Sequence, residues 1–362
     1  MIPKERMDAA INLQPVDRVP NAPFYEAPIC NYFGSSFRAA LLEAPTMADA
    51  HLAAVDEFKF DWIMVGMGLI GGIIPEALGC EVSYPEDVFP IIEKTSVRSL
   101  SDIDAIAKSN VHTQKMEDFL KGIAIIKQKL KGEVPIACEY ISPFTIATRL
   151  RGTTAIMEDF YDNPELLRTL QEALVPIDIE IGRALIDAGV DYIFYGADME
   201  CPLLISPAHY REFVHEPTTQ VVNALAAMGS RVLPHMCGDI IKTGIVDMLL
   251  EMDIHGIMPG NLTQETVLDL RELKDKCGDR ICIFDNLNPN GSLLTGTPDG
   301  VAKEIRAHLE KAKSMTGYIF STSGTTSPVT PRANFEAMNS EVLNFVGSKL
   351  SVQKLMTSLE DY

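Results

Sequence analysis

The sequence predicts an α/β fold, a (β/α)8 TIM barrel with N-terminal insertions, on the basis of three observations. Short runs rich in branched and aromatic residues recur eight times along the 362-residue chain. Segments with the periodicity of amphipathic helices lie between most of these runs. No Gly/Ser-rich linker and no internal repeat divides the chain. Alternating strands and helices form parallel βαβ units, and eight units close naturally into a barrel. An open doubly wound sheet is the alternative.

The elements follow one another in the order that such a barrel requires. The predicted strands are residues 19–25, 61–65, 135–140, 191–195, 231–235, 254–258, 280–284 and 317–321. The predicted helices are residues 116–130, 163–189, 207–227, 243–252 and 298–314. Pro164 and Pro298 each favour the first turn of a helix, where proline is preferred.

The extra length of the chain is expected in two insertions, at residues 26–59 and 70–132. Nothing in the composition separates a second globular unit from the barrel. We therefore expect a single barrel domain over residues 1–347, followed by a C-terminal tail at residues 348–362.

Composition restricts the partners and the compartment. Fifty acidic residues against 31 basic ones give a net charge of −19, which repels phosphate backbones and anionic lipid. We therefore expect neither nucleic acid nor membrane as a partner, whereas a homo-oligomer stays open. Seven scattered cysteines form no disulfide framework, and the first residues lack the apolar core of a secretory signal. A cytoplasmic protein is predicted.

A His-x-Cys pair, His235 and Cys237, lies at the end of the predicted strand at residues 231–235. Barrel enzymes place their chemistry at such strand ends. An imidazole and a thiolate two residues apart can hold one soft divalent ion, and zinc is the usual choice for mixed nitrogen and sulfur ligands. The spacing alone is weak evidence, since it arises often by chance.

Other strand ends also carry polar side chains. Glu139 and Asp285 are candidates for acid–base catalysis, because a carboxylate at such a place can move a proton. The candidates for contact with the substrate are Glu26, Tyr140, Asn286 and Ser323. Each carboxylate could equally cap a helix or form an ion pair. The histidines on predicted helices, expected at the surface, are His209, His215 and His308.

The segment at residues 65–72 contains Gly-x-Gly-x-x-Gly after a predicted strand. A dinucleotide fingerprint requires a helix to begin inside the motif. Pro75 follows at once, and the next stretch has the composition of a turn. The segment therefore favours a glycine-rich barrel loop that a substrate or partner can approach.

Several motifs taken together are similar to those of the uroporphyrinogen decarboxylase superfamily. They lie at residues 144–148, 162–167, 205–213, 235–239 and 330–334. The resemblance runs from Arg6 to about residue 347. It implies one of two branches, true decarboxylases or zinc-dependent methyltransferases that act with a corrinoid.

The resemblance favours the methyltransferase branch. The decarboxylases carry an arginine-rich signature that residues 18–26 lack, and their tyrosine after Pro-Phe-Thr is replaced by Arg149. The methyltransferases use His-x-Cys and a later cysteine, but Thr325 stands at that third position. A carboxylate is the expected replacement, with Glu200 the first choice and Asp198 or Glu139 next; otherwise the metal site has been lost.

A harder oxygen ligand in place of a thiolate leaves zinc a stronger Lewis acid, provided that the carboxylate does not restore the lost negative charge, and such an ion suits an ether oxygen. The resemblance thus implies a Zn²⁺-dependent methyltransferase. It would move a methyl group from a small-molecule O-methyl donor, such as a methoxylated aromatic, to a cob(I)amide. A separate corrinoid protein would supply the corrinoid (cobalamin), because the chain has no corrinoid-binding motif. The alternatives are a methylcorrinoid:thiol methyltransferase, a decarboxylase, and a non-catalytic corrinoid- or tetrapyrrole-binding protein.

Overall fold

The computed structural model describes residues 1–260 and 268–345. The predicted C-terminal tail at residues 348–362 lies outside the described residues. A sheet of seven parallel strands forms the centre of the fold, in the order β1-β4-β5-β6-β7-β8-β9. Its strands are β1 (Ile63–Val65), β4 (Ile136–Ile141), β5 (Tyr192–Gly196), β6 (Arg231–Cys237), β7 (Gly256–Gly260), β8 (Cys282–Phe284) and β9 (Tyr318–Ile319).

The segment around Asn21 takes the eighth position of the barrel. Asn21 forms a parallel bridge with Phe320, and its carbonyl accepts a hydrogen bond of 2.9 Å from the amide of Asp61. It therefore connects β9 to the start of β1 and closes the ring. The predicted strand at residues 19–25 is reduced to this bridge, because Pro20 and Pro23 have no N–H to donate. The predicted barrel is confirmed.

Helices surround the sheet and fill both predicted insertions. The helices are α1 (Pro3–Ile11), α2 (Glu26–Tyr32), α3 (Phe37–Leu42), α4 (Ala44–Phe58), α5 (Ile74–Ala77), α6 (Leu100–Ile106), α7 (Gln114–Lys129), α8 (Pro143–Arg151), α9 (Thr153–Asp159), α10 (Pro164–Ala188), α11 (Pro207–His209), α12 (His215–Ala227), α13 (Ile245–Leu249), α14 (Leu270–Cys277), α15 (Ser292–Thr295), α16 (Pro298–Ala312) and α17 (Arg332–Asn344). Two π-helical turns, Leu69–Ile73 and Tyr210–Val214, and a 3₁₀ turn, Gly278–Arg280, complete the helical structure. None of the helices in the described ranges combines the length and apolar character needed to cross a bilayer.

The second insertion contains an antiparallel hairpin that the sequence did not predict, β2 (Glu81–Ser83) with β3 (Ile91–Lys94). The glycine-rich segment also differs from the expected turn. Helical structure begins at Met67, directly after Gly66, and continues through the π-helical turn Leu69–Ile73 into α5. Pro75 does not stop it, because the proline lies where the π-helical turn passes into α5, and helices accommodate proline at such irregular turns.

Alternation along the strands sorts the core into two layers. Side chains such as Phe194, Leu233 and Met258 point into the barrel. Their neighbours in sequence, such as Ile193 and Val232, pack outward against the helices. Because successive side chains of a strand face opposite ways, two residues at positions i and i+2 share a face. This alternation decides which candidate residues can meet inside the barrel.

Candidate metal centre

Three potential metal ligands meet at the carboxyl ends of β5 and β6. His235 and Cys237 lie on the inward face of β6, and Asp198 follows β5. One ligand atom from each lies within 4.8 Å of the other two. The described residues thus bring together an imidazole nitrogen, a sulfur and a carboxylate oxygen at the mouth of the barrel, where barrel enzymes carry their sites.

The ring of His235 is held in one orientation. Its Nδ1 lies 3.1 Å from the carbonyl oxygen of Met258. A carbonyl only accepts, so Nδ1 carries the proton and Nε2 keeps its lone pair for a ligand. Phe194 and Phe24 flank the ring at centroid distances of 5.3 and 6.0 Å. Burial lowers the pKa of His235, which favours the neutral imidazole that binds metals.

Asp198 reaches the pair because the chain stays beside β6 after β5 ends. The amide of Ala197 donates a 2.8 Å hydrogen bond to the carbonyl of His235. The next side chain, Asp198, therefore comes to lie against Nε2 of His235 at 3.5 Å. Half of the Asp198 side chain is exposed, in contrast to the buried His235 and Cys237. The cluster is therefore buried on the side of the barrel interior and accessible from the mouth.

The distances in the cluster fit a single zinc ion. Sγ of Cys237 lies 3.8 Å from Nε2 of His235 and 3.9 Å from Oδ1 of Asp198. Tetrahedral zinc with ordinary bond lengths separates such N, S and O ligand atoms by about 3.4–3.6 Å. The three observed separations, including 3.5 Å between His235 and Asp198, need only small adjustments. The donor chemistry and the spacing both suit zinc.

Gly260, at the end of β7, leaves this space open. It pairs in register with Cys237. A Cβ atom on Gly260 would lie 2.5 Å from Sγ of Cys237 and 3.0 Å from Nε2 of His235. Sequence reasoning did not single out this glycine. Its only sequence signal is its position two residues after Met258, the last residue of the predicted strand at residues 254–258.

Glu200, the first choice as third ligand, is replaced by Asp198 in the structure. The carboxylate of Glu200 is fully buried and accepts hydrogen bonds from the hydroxyls of Ser142 and Thr145. These two hydroxyls belong to the N-terminal cap and first turn of α8. Glu200 thus points to that helix, and the cluster contains Asp198 instead. Thr325, at the position of the expected cysteine, is half-buried and offers no thiolate.

Glu139 is a buried carboxylate on the inward side of β4. Burial raises its pKa to about 8, the nearby charges of Asp198 and Glu26 add to the rise, and Arg149 opposes it. At neutral pH this side chain is a protonated acid that can donate a hydrogen bond. The structure therefore leaves Glu139 suited to its predicted acid–base role.

Glu26 holds the glycine-rich segment in place. Its carboxylate accepts a 3.0 Å hydrogen bond from the amide of Met67 at the start of the helical stretch. Burial raises its pKa to about 7, although this hydrogen bond opposes the rise. The neighbouring Gly66 has a φ of 129° and comes so close to β4 that a Cβ would lie 2.5 Å from the carbonyl oxygen of Glu139. The helix terminus that could have received a phosphate is thus occupied by Glu26.

Two predicted site residues face away from the barrel interior. Tyr140 points outward from β4 and donates a 2.7 Å hydrogen bond to the backbone carbonyl of Asp178 in α10. Asp285 follows β8 on its outward side, and its carboxylate lies 3.0 Å from Nδ1 of His308 in α16. Neither can contact a substrate at the mouth. Each residue is one position out of phase with the inward face, so the structure does not bring either side chain to the mouth of the barrel.

His308 and His215 also depart from the expectation of surface histidines. His308 pairs with the buried Asp285, and His215 is buried, with Nε2 3.1 Å from the carbonyl of Met248. His209 conforms better, stacking on Phe160 at the surface of α11 with ring centroids 4.7 Å apart.

The remaining predicted substrate contacts, Asn286 and Ser323, are buried residues that follow β8 and β9 in the chain. Asn286 donates a 3.0 Å hydrogen bond from its side-chain amide to the carbonyl of Leu268. The backbone amide of Ser323 donates to the carbonyl of Leu287. The Oγ atom of Ser323 is buried without a hydrogen-bond partner among the described residues, which suits a group that awaits a ligand. Contact with a substrate stays a prediction for both residues.

Fold and site together define an α/β-barrel protein with a candidate mixed-donor metal centre at its mouth. The model of the uroporphyrinogen decarboxylase (URO-D) family matches residues 2–345. The chain belongs to this family.

Its relatives include both branches. The chain is 24% identical over 340 residues to the methylcobamide:CoM methyltransferase MtbA of Methanosarcina mazei, covering 93% of this chain and 96% of the relative. Identity to the methylcobamide:CoM methyltransferase MtaA of Methanosarcina barkeri is 22% over 344 residues, covering 92% and 96%. A uroporphyrinogen decarboxylase of Methylobacillus flagellatus is 26% identical, covering 79% of each chain.

A solved structure supports the same fold. The structure titled methyltransferase from Methanosarcina mazei superposes with a TM-score of 0.81 at 21% identity and covers 95% of this chain and 99% of the other. The barrel expected from the sequence is thus confirmed, and so is the resemblance to the methyltransferase branch.

Proposed function

We propose that this protein is a zinc-dependent methyltransferase that moves a methyl group from an O-methyl donor, such as a methoxylated aromatic, to a cob(I)amide on a separate corrinoid protein. The main support for the proposal is that Asp198, His235 and Cys237 bring three ligand atoms to the mouth of the barrel, at separations that suit one zinc ion. The relatives that are named methylcobamide methyltransferases support the same class of reaction.

These three residues would bind the ion from the barrel side and leave its side towards the mouth open. His235 supplies a neutral nitrogen, Cys237 a thiolate and Asp198 a carboxylate, so the two anionic ligands balance the charge of a divalent ion. When bound, zinc supplies Lewis acidity towards an oxygen of the methyl donor. Cys237 and Asp198 must both be deprotonated to bind zinc. Burial raises the pKa of Cys237 far above its usual value, so zinc binding would release the proton of this thiol.

Glu139 would supply the proton that the reaction requires. The cobalt of the cob(I)amide attacks the methyl carbon, a cobalt–carbon bond forms, and the carbon–oxygen bond breaks with its electron pair on the oxygen. That oxygen then takes the proton of Glu139, which gives a neutral phenol or alcohol and a carboxylate. Glu139 recovers its proton from water at the open mouth. Asn286 and Ser323 are the proposed substrate contacts, and Glu26 fixes the start of the helical stretch that follows β1.

A single-turnover experiment tests this proposal. Purified protein is mixed anaerobically with cob(I)alamin and methoxylated benzoates. Conversion of cob(I)alamin to methylcob(III)alamin is followed by visible absorption, and the phenol formed is quantified. We expect equal amounts of methylcobalamin and phenol from the wild type and none from His235→Ala. The same yield from both proteins would contradict the proposal.

The names of the relatives favour one further candidate, the methylation of a thiol by a methylcorrinoid. The reaction is distinguished by starting from methylcob(III)alamin and a small thiol. Formation of the thioether with no reaction of methyl ethers would assign the chain to that half-reaction. The carboxylate in place of a second thiolate is the reason to place ether cleavage first.

A further inference from the structure

We infer that Gly260 determines whether the centre can accept a metal ion, because a side chain at this position would fill the space between His235 and Cys237. The inference rests on the proposed metal centre and assigns to this chain a residue that creates room for the ion without donating to it.

The position of Gly260 is fixed by the sheet. Parallel pairing places Cys237 opposite Gly260 and His235 opposite Met258. The hydrogen bond between Nδ1 of His235 and the carbonyl of Met258 ties the ring to the same strand. The end of β7 therefore cannot move away from the His-x-Cys pair without breaking that bond. Alternation along β7 puts residue 260, like Met258, on the inward face.

A Cβ atom at this position would meet both donors. It would lie 2.5 Å from Sγ of Cys237, and 2.7 and 3.0 Å from Cε1 and Nε2 of His235. An ion bonded to Sγ and Nε2 must lie about 2.0–2.3 Å from each. The Cβ and the ion thus compete for one volume. Neither donor has room to retreat, because Phe194 and Phe24 flank the imidazole and Cys237 belongs to the buried end of β6.

Backbone conformation does not account for this glycine. Among the described residues, eleven other glycines have positive φ values, and Gly260 is not one of them. Residue 260 could therefore be any L-amino acid as far as the backbone is concerned, and only the space beside the donors requires glycine. Gly324 offers the matched contrast, since it lies on the loop after β9 and a Cβ there would meet no heavy atom within 4 Å.

The experiment compares Gly260→Ala with wild type and with Gly324→Ala. Each protein is freed of metal with a chelator and titrated with Co²⁺ alone, and the cobalt–thiolate absorption reports occupancy. We expect wild type and Gly324→Ala to bind equally, and Gly260→Ala to bind about 10- to 100-fold more weakly. Equal binding by Gly260→Ala would overturn the inference. A wild type that takes up neither cobalt nor zinc would overturn the proposed centre itself, which is a separate and recognisable result.

A second comparison guards against a variant that only fails to fold. In metal-free protein, Gly260→Ala should lower the Tm less in the Cys237→Ala background than in wild type. The reason is that Cys237→Ala removes Sγ, the atom closest to the Cβ that Gly260→Ala adds. If Gly260→Ala does not fold alone but folds in that background, the steric reason stands. Equal loss of Tm in both backgrounds, or a double variant that does not fold, would overturn it.

Discussion

Removing His308 should destabilise the protein through the charge it leaves behind. The carboxylate of Asp285 is fully buried, and His308 lies within 3.1 Å of both its oxygens. In His308→Ala the carboxylate loses the imidazole and keeps the 2.8 Å hydrogen bond from the amide of Asn286. Breaking a buried pair on one side costs about 3–5 kcal/mol. Because the His308 side chain is 23% exposed, we expect the lower end, about 3 kcal/mol.

That free energy corresponds to a measurable shift in Tm. With an unfolding entropy of about 2.1 cal/mol/K per residue over a chain of this length, 3 kcal/mol lowers the Tm by about 4 °C. Differential scanning calorimetry measures the shift. The matched control is His112→Ala, since His112 contacts Glu180 and Glu117 at the surface with 44% of its side chain exposed. Its loss should cost less than about 0.5 kcal/mol.

The pH dependence of the same pair has a definite sign. Burial alone would lower the pKa of His308, but Asp285 more than offsets it, Glu304 adds to the rise and Lys311 opposes it. A histidine whose folded pKa is raised stabilises the fold fully below its unfolded pKa, and the contribution is lost as pH rises through the folded pKa. The Tm difference between wild type and His308→Ala should therefore be larger at about pH 6 than at about pH 9. A difference that grows with pH, or none at either pH, would refute the reasoning.

Three further outcomes follow from the same structure. Tyr140→Phe should lose about 1 kcal/mol of stability with its hydrogen bond to Asp178 and keep its kcat, so a large fall in kcat would return Tyr140 to the substrate site. In a metal titration, Asp198→Ala should weaken zinc binding by at least about 100-fold, whereas Glu200→Gln should leave it unchanged. The opposite result would identify Glu200 as the third ligand. Glu139→Gln should lower the single-turnover rate by roughly 100-fold, with a smaller loss for donors whose phenol is more acidic, and a uniform loss across donors would argue against proton transfer.

Much of the barrel could be predicted because the hydrophobic periodicity and the residues that start or end elements agree along the chain. The strand predicted at residues 231–235 appears as β6 (Arg231–Cys237), and the helix predicted at residues 298–314 as α16 (Pro298–Ala312). The hairpin of β2 and β3 was not predicted because both strands are three or four residues long and contain no buried residue, so neither carries a hydrophobic pattern.

The candidate site was partly accessible from sequence for a different reason. Two ligands separated by one residue must share a face of a strand, so His235 and Cys237 could be paired without a structure. The third ligand depended on the course of the chain after β5, where a turn separates Asp198 from Glu200. Local sequence does not decide which of two acidic residues in a loop turns inward. The outward orientation of Asp285 could not be predicted because β8 is short, which left its inward face undetermined from sequence.

The zinc content of protein purified without added metal or a histidine tag tests the central claim most directly. Elemental mass spectrometry of the wild type and of Cys237→Ala gives the number of zinc ions per chain. We expect near-stoichiometric zinc in the wild type and a large loss in the variant, because Cys237 supplies the only thiolate in the candidate cluster. A wild type that holds no zinc, even after incubation with it, would rule out the zinc centre and favour a barrel that binds a corrinoid or tetrapyrrole without metal chemistry of its own.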